Sequence, residues 1–199
     1  MPAIAGDSLM TLEAYARARE EFRARVQAHK KNRTLDIGDH VTLIFEDELT
    51  IRYQIQEMLR TERIFEQAGI QGELDAYNPL IPDGSNWKAT MMIEYPDAEE
   101  RRQMLAKLIG VENKVWIKVE GHPRVCAIAD EDMERENAEK TSAVHFLRFE
   151  LDAAMVQTLK RGAELSVGVD HPQCRATIDT VSPAVRQSLV ADLAGATQA

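Results

Sequence analysis

The chain has little of what usually identifies an enzyme or a metalloprotein from its sequence. It has two cysteines, Cys126 and Cys174, without CxxC spacing, so neither a cysteine-rich metal site nor a disulfide framework is expected. The glycine fingerprints of nucleotide-binding loops and the motifs of serine, cysteine or lysine nucleophiles are missing. Glu-x-x-His is missing as well, which excludes a carboxylate-bridged di-iron bundle. Motifs therefore assign no reaction, and whether the chain is an enzyme stays open.

Long apolar runs and an excess of positive charge are lacking too. No stretch reaches the roughly 20 apolar residues of a membrane span, and residues 1–12 lack the apolar core of a signal peptide. The formal net charge of −9 argues against nucleic-acid binding, because phosphate contacts need clustered Lys and Arg. We therefore expect a cytoplasmic protein with no membrane span and no nucleic-acid partner.

What the sequence does have is an internal repeat in residues 87–199. Two His-Pro pairs, beginning at His122 and His171, each follow an alternating apolar run, and a helix-like segment and another apolar strand precede each run. This pattern predicts an α+β fold, with an antiparallel sheet built from two pseudo-repeated β-α-β-β units and a C-terminal helix after them. Residues 1–86 are predicted to form an N-terminal helical section with one short strand, packed on the repeat as one compact unit.

The phase of the two hairpins predicts which side chains face the core. Val125 and Cys174 occupy equivalent inward positions, whereas Cys126 has the opposite phase. The two cysteines are thus expected in different layers, without a disulfide between them. A second interpretation takes residues 130–142 as a helix, which would make residues 89–151 a ferredoxin-like β-α-β-β-α-β unit.

The N-terminal helix is predicted over residues 11–30. Tyr15, Phe22 and Val26 recur on one side at helical spacing, and the other side is dense in Arg, Glu and Lys. Such a helix docks on the body of the protein or on a second subunit, so a homo-oligomer is expected. Residues 30–33 are predicted to be a solvated basic helix end.

A second helix, predicted over residues 47–66 with Asp47 as its cap, carries the most polar surface in the chain. Phe65 is placed on its apolar side, and Gly69 is expected to end it. The candidate functional surface on the opposite side consists of Arg52, Tyr53, Gln56, Glu57, Arg60 and Arg63.

Two interpretations of this surface remain open. Arginines spaced by turns can clamp a carboxylate or phosphate, so Arg52, Arg60 and Arg63 could form a small-anion sensor. Alternatively, the charges form ordinary ion pairs three or four residues apart, such as Glu57 with Arg60.

Histidines and glutamates at matching places in the two repeats suggest a metal site. Histidine and carboxylate suit zinc or iron. The candidate ligands are His122, His171, His145, Glu94 and Glu150. The alternative is structural: His-Pro is common in turns, where proline fixes the backbone, and His145 has the place of a packed core histidine.

Three segments resemble an uncharacterised bacterial family, domain-of-unknown-function family 3501. They are residues 53–60 (YQIQEMLR) with Glu62, residues 77–82 (YNPLIP) and residues 141–146 (TSAVHF). The resemblance implies genes that neighbour those of rubrerythrin-like and iron–sulfur oxidoreductase proteins. It assigns no residue a role.

The leading hypothesis is therefore a non-catalytic cytoplasmic accessory protein that contacts a redox partner of peroxide or iron–sulfur metabolism. A dimer through the N-terminal helices is expected. The alternative is a metal-binding protein or metal-dependent enzyme that uses the His and Glu candidates.

Overall fold

The structure, a computed structural model, describes residues 3–129 and 140–194. The helices are α1 (Leu12–Lys30), α2 (Glu48–Thr61), α3 (Gln67–Tyr77), α4 (Ala98–Lys107), α5 (Ala153–Lys160) and α6 (Pro183–Ala191). The strands are β1 (Thr34–Ile37), β2 (Val41–Phe45), β3 (Asn86–Ile93), β4 (Val115–Val119), β5 (Arg124–Cys126), β6 (Ile128–Ala129), β7 (Val144–Glu150), β8 (Leu165–His171) and β9 (Cys174–Ile178). The α+β class and the N-terminal helix are confirmed.

The repeat is confirmed as two β-α-β-β units, β3-α4-β4-β5 and β7-α5-β8-β9. Equivalent strands pair antiparallel, β3 with β7 and β4 with β8, which is the pairing that a twofold axis between the copies requires. The equivalent residues Ile117 and Val167 face each other across that axis. The strands divide between two sheets rather than one, in the orders β1-β2-β3-β7-β6 and β5-β4-β8-β9.

The inner faces of both sheets share one core with α4, α5 and α6. Val125 and Cys174 both pack against this core, whereas Cys126 is exposed, as the hairpin phases predicted. Both cysteines are free thiols. The alternation of side chains therefore predicted correctly which of these residues face the core, because residues two apart on a strand share a face.

Capping side chains set the helix limits of the repeat. Asp97 and Asp152, at equivalent places, each accept a hydrogen bond from the backbone N–H three residues on, and Ser182 does the same for α6. Gly110 and Gly162 follow the two repeat helices with φ of 81° and 95°, a conformation that glycine adopts without strain.

Helices α1–α3, here called the helical arm, pack outside the main core around two small apolar clusters. The arm differs from the predicted single long helix over residues 47–66. The helix α2 ends at Thr61, because Arg63 turns the chain with φ of 55° and the Ile64 N–H bonds the Leu59 carbonyl at 2.9 Å. Phe65 is consequently 71% exposed rather than on the apolar side, and Gly69 lies inside α3 instead of ending α2.

Within residues 3–129 and 140–194, no helix combines the length and the apolar character that crossing a membrane requires. Most of the segment that the ferredoxin-like interpretation takes as a helix, residues 130–139, lies outside the described residues.

Candidate functional site

A partly buried hydrogen-bonded group fixes α1 against α2. The Tyr15 hydroxyl donates to Glu57 Oε1 at 2.6 Å, and Arg19 donates from Nε and Nη2 to the two oxygens of Glu57, both at 2.8 Å. The hydrogen bond from Arg19, with that from Tyr15, outweighs burial and lowers the pKa of Glu57 to about 2. Burial and the Glu57 contact raise the pKa of Tyr15. Glu57 therefore joins the two helices. The ion-pair interpretation proposed instead that it pairs with a nearby residue on α2.

Three more residues of the predicted surface, Gln56, Tyr53 and Arg52, also hold the arm together. Gln56 is fully buried rather than on the surface, and its side-chain amide bonds the backbone N–H and carbonyl of Met10 at 2.7 and 3.3 Å. Tyr53 packs on Phe22 of α1, with ring centres 6.1 Å apart. These contacts explain why a polar sequence pattern occurs on a helix that is enclosed by its neighbours.

Arg52 is likewise engaged. Its Nε donates to Glu48 Oε1 at 2.6 Å, and its Nη1 donates to the carbonyl and hydroxyl of Ser8 at 2.8 and 3.0 Å. Arg60 and Arg63 are exposed, and no ion pair with a carboxylate forms at either in the described parts of the chain. The three arginines of the anion hypothesis therefore do not share one environment.

Charged side chains of both signs cover the outward face of α1. The helix carries five cations, four Arg and Lys30, against three Glu, a net charge of +2 with His29 neutral. Arg17, Arg23 and Arg25 are exposed, and so are the three glutamates, so the excess positive charge comes from Lys30, which is half-buried, and from Arg19, which pairs with Glu57. A shallow depression of about 520 Å³ lies along this face; the described residues that line it are Arg19, Glu20, Arg23, Ala24 and Gln27. The net-positive helix contrasts with a chain whose net charge is −9.

A buried ion cluster lies where the arm joins the body, and the sequence did not indicate it. Arg33 was placed in a solvated basic turn, but its side chain is 1% exposed. Its Nε donates to the Phe45 carbonyl at 2.9 Å, and its Nη2 donates to the Glu46 carbonyl at 3.1 Å. Nη2 also bonds Asp192 of α6, and Nη1 lies 3.5 Å from Asp47 Oδ2. The available signal was phase, since Arg33 directly precedes β1 and lies two residues before Leu35 and four before Ile37, the inward residues of that strand.

The two carboxylates that share Arg33 respond differently to burial. Burial raises the pKa of Asp47, but Arg33, the Thr50 backbone N–H and His29 together bring it below its ordinary value. Burial dominates at Asp192, so its pKa is raised despite the contact with Arg33. His29 Nε2 lies 2.5 Å from Asp47 Oδ2, and the imidazole is partly exposed. The cluster therefore links α1, the β2–α2 junction and α6.

The repeat histidines that were candidate metal ligands each have a local partner. His122 Nε2 lies 3.0 Å from the Thr158 hydroxyl. His171 Nε2 lies 3.3 Å from the Ile109 carbonyl, and its Nδ1 accepts the Gln173 backbone N–H at 3.2 Å. Both contacts are typical of histidines that hold a turn against a neighbouring helix or loop.

His145 is buried in the core side of β7. Its Nε2 lies 3.0 Å from both the Thr141 hydroxyl and the Ser142 carbonyl. Because a carbonyl only accepts, Nε2 is the protonated nitrogen. Glu112 Oε2 lies 3.9 Å away and is buried without a hydrogen bond to any described residue.

The two glutamates proposed as metal ligands lie on separate strand ends. Glu94 Oε2 accepts from the Thr42 hydroxyl at 2.9 Å, and Glu150 pairs with Arg148 and accepts from Asn86 at 3.3 Å. Across residues 3–129 and 140–194, no three His, Cys, Asp or Glu side chains come close enough to hold a metal ion.

Comparisons place the chain in a family. A family model described as a protein of unknown function, DUF3501, matches residues 3–193, so the chain belongs to this family, as the sequence resemblance indicated. A crystal structure of a novel protein of unknown function from Burkholderia pseudomallei K96243 is 56% identical and superposes with a TM-score of 0.92. That match covers 97% of this chain and 100% of the other. No curated protein matches significantly.

Proposed function

We propose that the protein is a non-catalytic cytoplasmic accessory protein that docks the arginine-bearing outward face of α1 on an acidic surface of a redox protein. The observation that carries this proposal is the exposed, net-positive helix on a chain of net charge −9. Complementary charge raises association rates and excludes like-charged partners. The redox identity of the partner rests on the gene neighbourhood that the family resemblance implies, in peroxide or iron–sulfur metabolism.

The rigid attachment of α1 supports a docking role. Arg19 and Tyr15 both bond Glu57, so the helix cannot rotate about its axis without breaking three hydrogen bonds. The backbone that carries Arg17, Arg23 and Arg25 is therefore fixed before a partner arrives. A pre-organised surface loses less conformational freedom on binding than a mobile one, and thus binds more tightly for the same contacts.

The test compares two single charge reversals in exposed helical arginines. The protein, as bait for extract of its own source cells, should recover a rubrerythrin-like or iron–sulfur protein, whose affinity is then measured with both proteins purified. Arg23→Glu on α1 should weaken binding about tenfold at low salt. Arg102→Glu on α4, which changes the net charge equally at a site 70% exposed, should leave it unchanged.

Three results would count against the proposal. Recovery of no redox protein would remove the partner class, equal loss in both variants would indicate net charge rather than a surface, and affinity independent of salt would exclude electrostatic docking. Light scattering on the same samples tests the expected homo-oligomer, which stays a prediction.

A metal-binding protein remains the second candidate because of Glu112. Its buried Oε2 has no hydrogen bond to a described residue, and a cation beside it would relieve the desolvated charge. Metal analysis of protein purified without chelators tests this candidate. Less than one iron, zinc or manganese per chain would exclude it.

A further inference from the structure

The buried ion cluster brings charged groups together from every element that meets at the joint between arm and body. His29 comes from α1, Arg33 precedes β1, Asp47 caps α2 and Asp192 follows α6. The Glu46 carboxyl also lies at this joint, but it bonds the hydroxyls of Thr50 and Thr90 rather than the guanidinium.

The charges of this cluster do not balance without His29. One guanidinium faces two carboxylates, and the nearby Glu46 carboxyl can only add negative charge. Buried carboxylates are costly unless they are paired, since the interior solvates charge poorly. A protonated His29 supplies the second positive charge, at 2.5 Å from Asp47.

We infer that this cluster is a pH-sensitive latch that holds α6 against the helical arm and loosens when His29 loses its proton. With His29 charged, Asp47 is neutralised from the α1 side, and Arg33 is free to hold Asp192. With His29 neutral, Arg33 is the one positive charge among the described residues that both carboxylates contact, although Asp47 also accepts the Thr50 backbone N–H at 2.9 Å. Imidazoles change charge between about pH 5 and 8. The hold on α6 should therefore be stronger with His29 protonated than with His29 neutral, and should weaken as the pH rises.

Helix α6 offers a direct measure of the latch. Its backbone accepts from the Trp87 indole at the Leu189 carbonyl, at 2.9 Å. Its Asp192 end is held by Arg33, by the buried Leu193 and by the Ala194 N–H, which bonds the Gly84 carbonyl at 2.8 Å. Loosening of the Asp192 end should expose amides of α6 to exchange without unfolding the sheets.

Hydrogen exchange of the full chain from pH 5.5 to 8.5, corrected for the intrinsic rate, tests the inference. Protection of α6 should fall about tenfold across this range in the wild type, the size expected for losing one charge-assisted hydrogen bond. In His29→Gln, whose amide donates to Asp47 but never carries charge, protection should be low at every pH. The control His122→Gln, which alters a histidine bonded to Thr158 of α5 rather than to a member of the cluster, should behave as the wild type.

Two outcomes would overturn the latch. If the protection of wild-type α6 does not change with pH, the cluster is not a switch, and this result needs no variant to fold. If His29→Gln keeps the wild-type pH dependence, another group is responsible, Asp192 first among them. Partner binding does not enter this experiment, so its result is independent of the proposed docking function.

Discussion

Replacing Arg33 by methionine should be among the most destabilising single changes in the described chain. Methionine fills a similar volume with an unbranched apolar side chain, so the change removes the charge and the hydrogen bonds rather than creating a large cavity. It leaves Asp47 and Asp192 buried without the guanidinium, and the carbonyls of Phe45 and Glu46 without their donor.

The expected loss of stability follows from leaving two buried carboxylates without the guanidinium that pairs with them. Removing one partner of a buried ion pair costs about 3–5 kcal/mol, because the remaining charge is desolvated and uncompensated. For a chain of this size, 1 kcal/mol corresponds to a shift in Tm of roughly 2–4 °C, so Tm should fall by roughly 6–20 °C.

Urea unfolding of a double-mutant cycle separates this cause from simple loss of packing. Arg33→Met with Asp192→Asn should be more stable than Arg33→Met alone by about 1 kcal/mol or more, because one uncompensated carboxylate has been removed. The control Arg102→Met breaks the exposed pair with Glu99 and should change stability by less than about 0.5 kcal/mol. A loss below about 1 kcal/mol in Arg33→Met, or no recovery in the double variant, would refute the reasoning.

Two further predictions concern the arm and the second sheet. The pKa of Glu57 is about 2 in the folded chain, against 4.5 ordinarily, so its stabilising contribution is complete above about pH 4.5 and is lost as the pH falls toward 2. Urea midpoints measured from pH 2 to 6 should therefore fall less steeply with acid in Glu57→Gln than in the wild type. An equally steep fall in both proteins would contradict the assignment. In Gly168→Ala the new Cβ would lie 2.4 Å from Trp116 Cζ2, so stability should fall by about 1–3 kcal/mol. Gly72→Ala in α3, where nothing lies within 4 Å, should instead raise it by up to about 1 kcal/mol; equal effects of the two alanines on the urea midpoint would contradict the steric argument.

The parts of the fold that could be predicted are those fixed by local pattern. Alternation gave the inward places of Val125 and Cys174, and the acidic caps Asp97 and Asp152 gave the starts of the repeat helices. Both signals act within a few residues, because strand phase and helix capping depend on neighbours in sequence. Division of the strands between two sheets depends on pairing over long separations, and alternation alone does not determine it.

The candidate site was predictable only in part, for the same physical reason. The polarity of Gln56 and Glu57 suggested a surface, yet each is satisfied by a residue about 40 positions away in the sequence. Arg33 becomes a core residue only because Asp192, separated by 159 positions, returns to it. A charged side chain has no local pattern that distinguishes burial with a partner from exposure, so these assignments required the tertiary structure.

The position of the arm explains why a function should be sought there rather than at the repeat axis. In the first sheet the twofold-related strands β3 and β7 are central, and their outer neighbours differ: β2 pairs with β3 on one side, and the two-residue β6 pairs with β7 on the other. The segment from α1 to α3 is joined to the sheet through β1 and β2, beside β3, so it breaks the symmetry that the duplicated units otherwise impose. A surface on the axis would present similar halves, whereas the arginine-bearing outward face of α1 exists once per chain and is held by both the Glu57 contacts and the ion cluster. A docking helix that is attached at two points can transmit force from a partner to the core. Weakening either attachment should therefore alter the orientation of α1 before it alters the sheets.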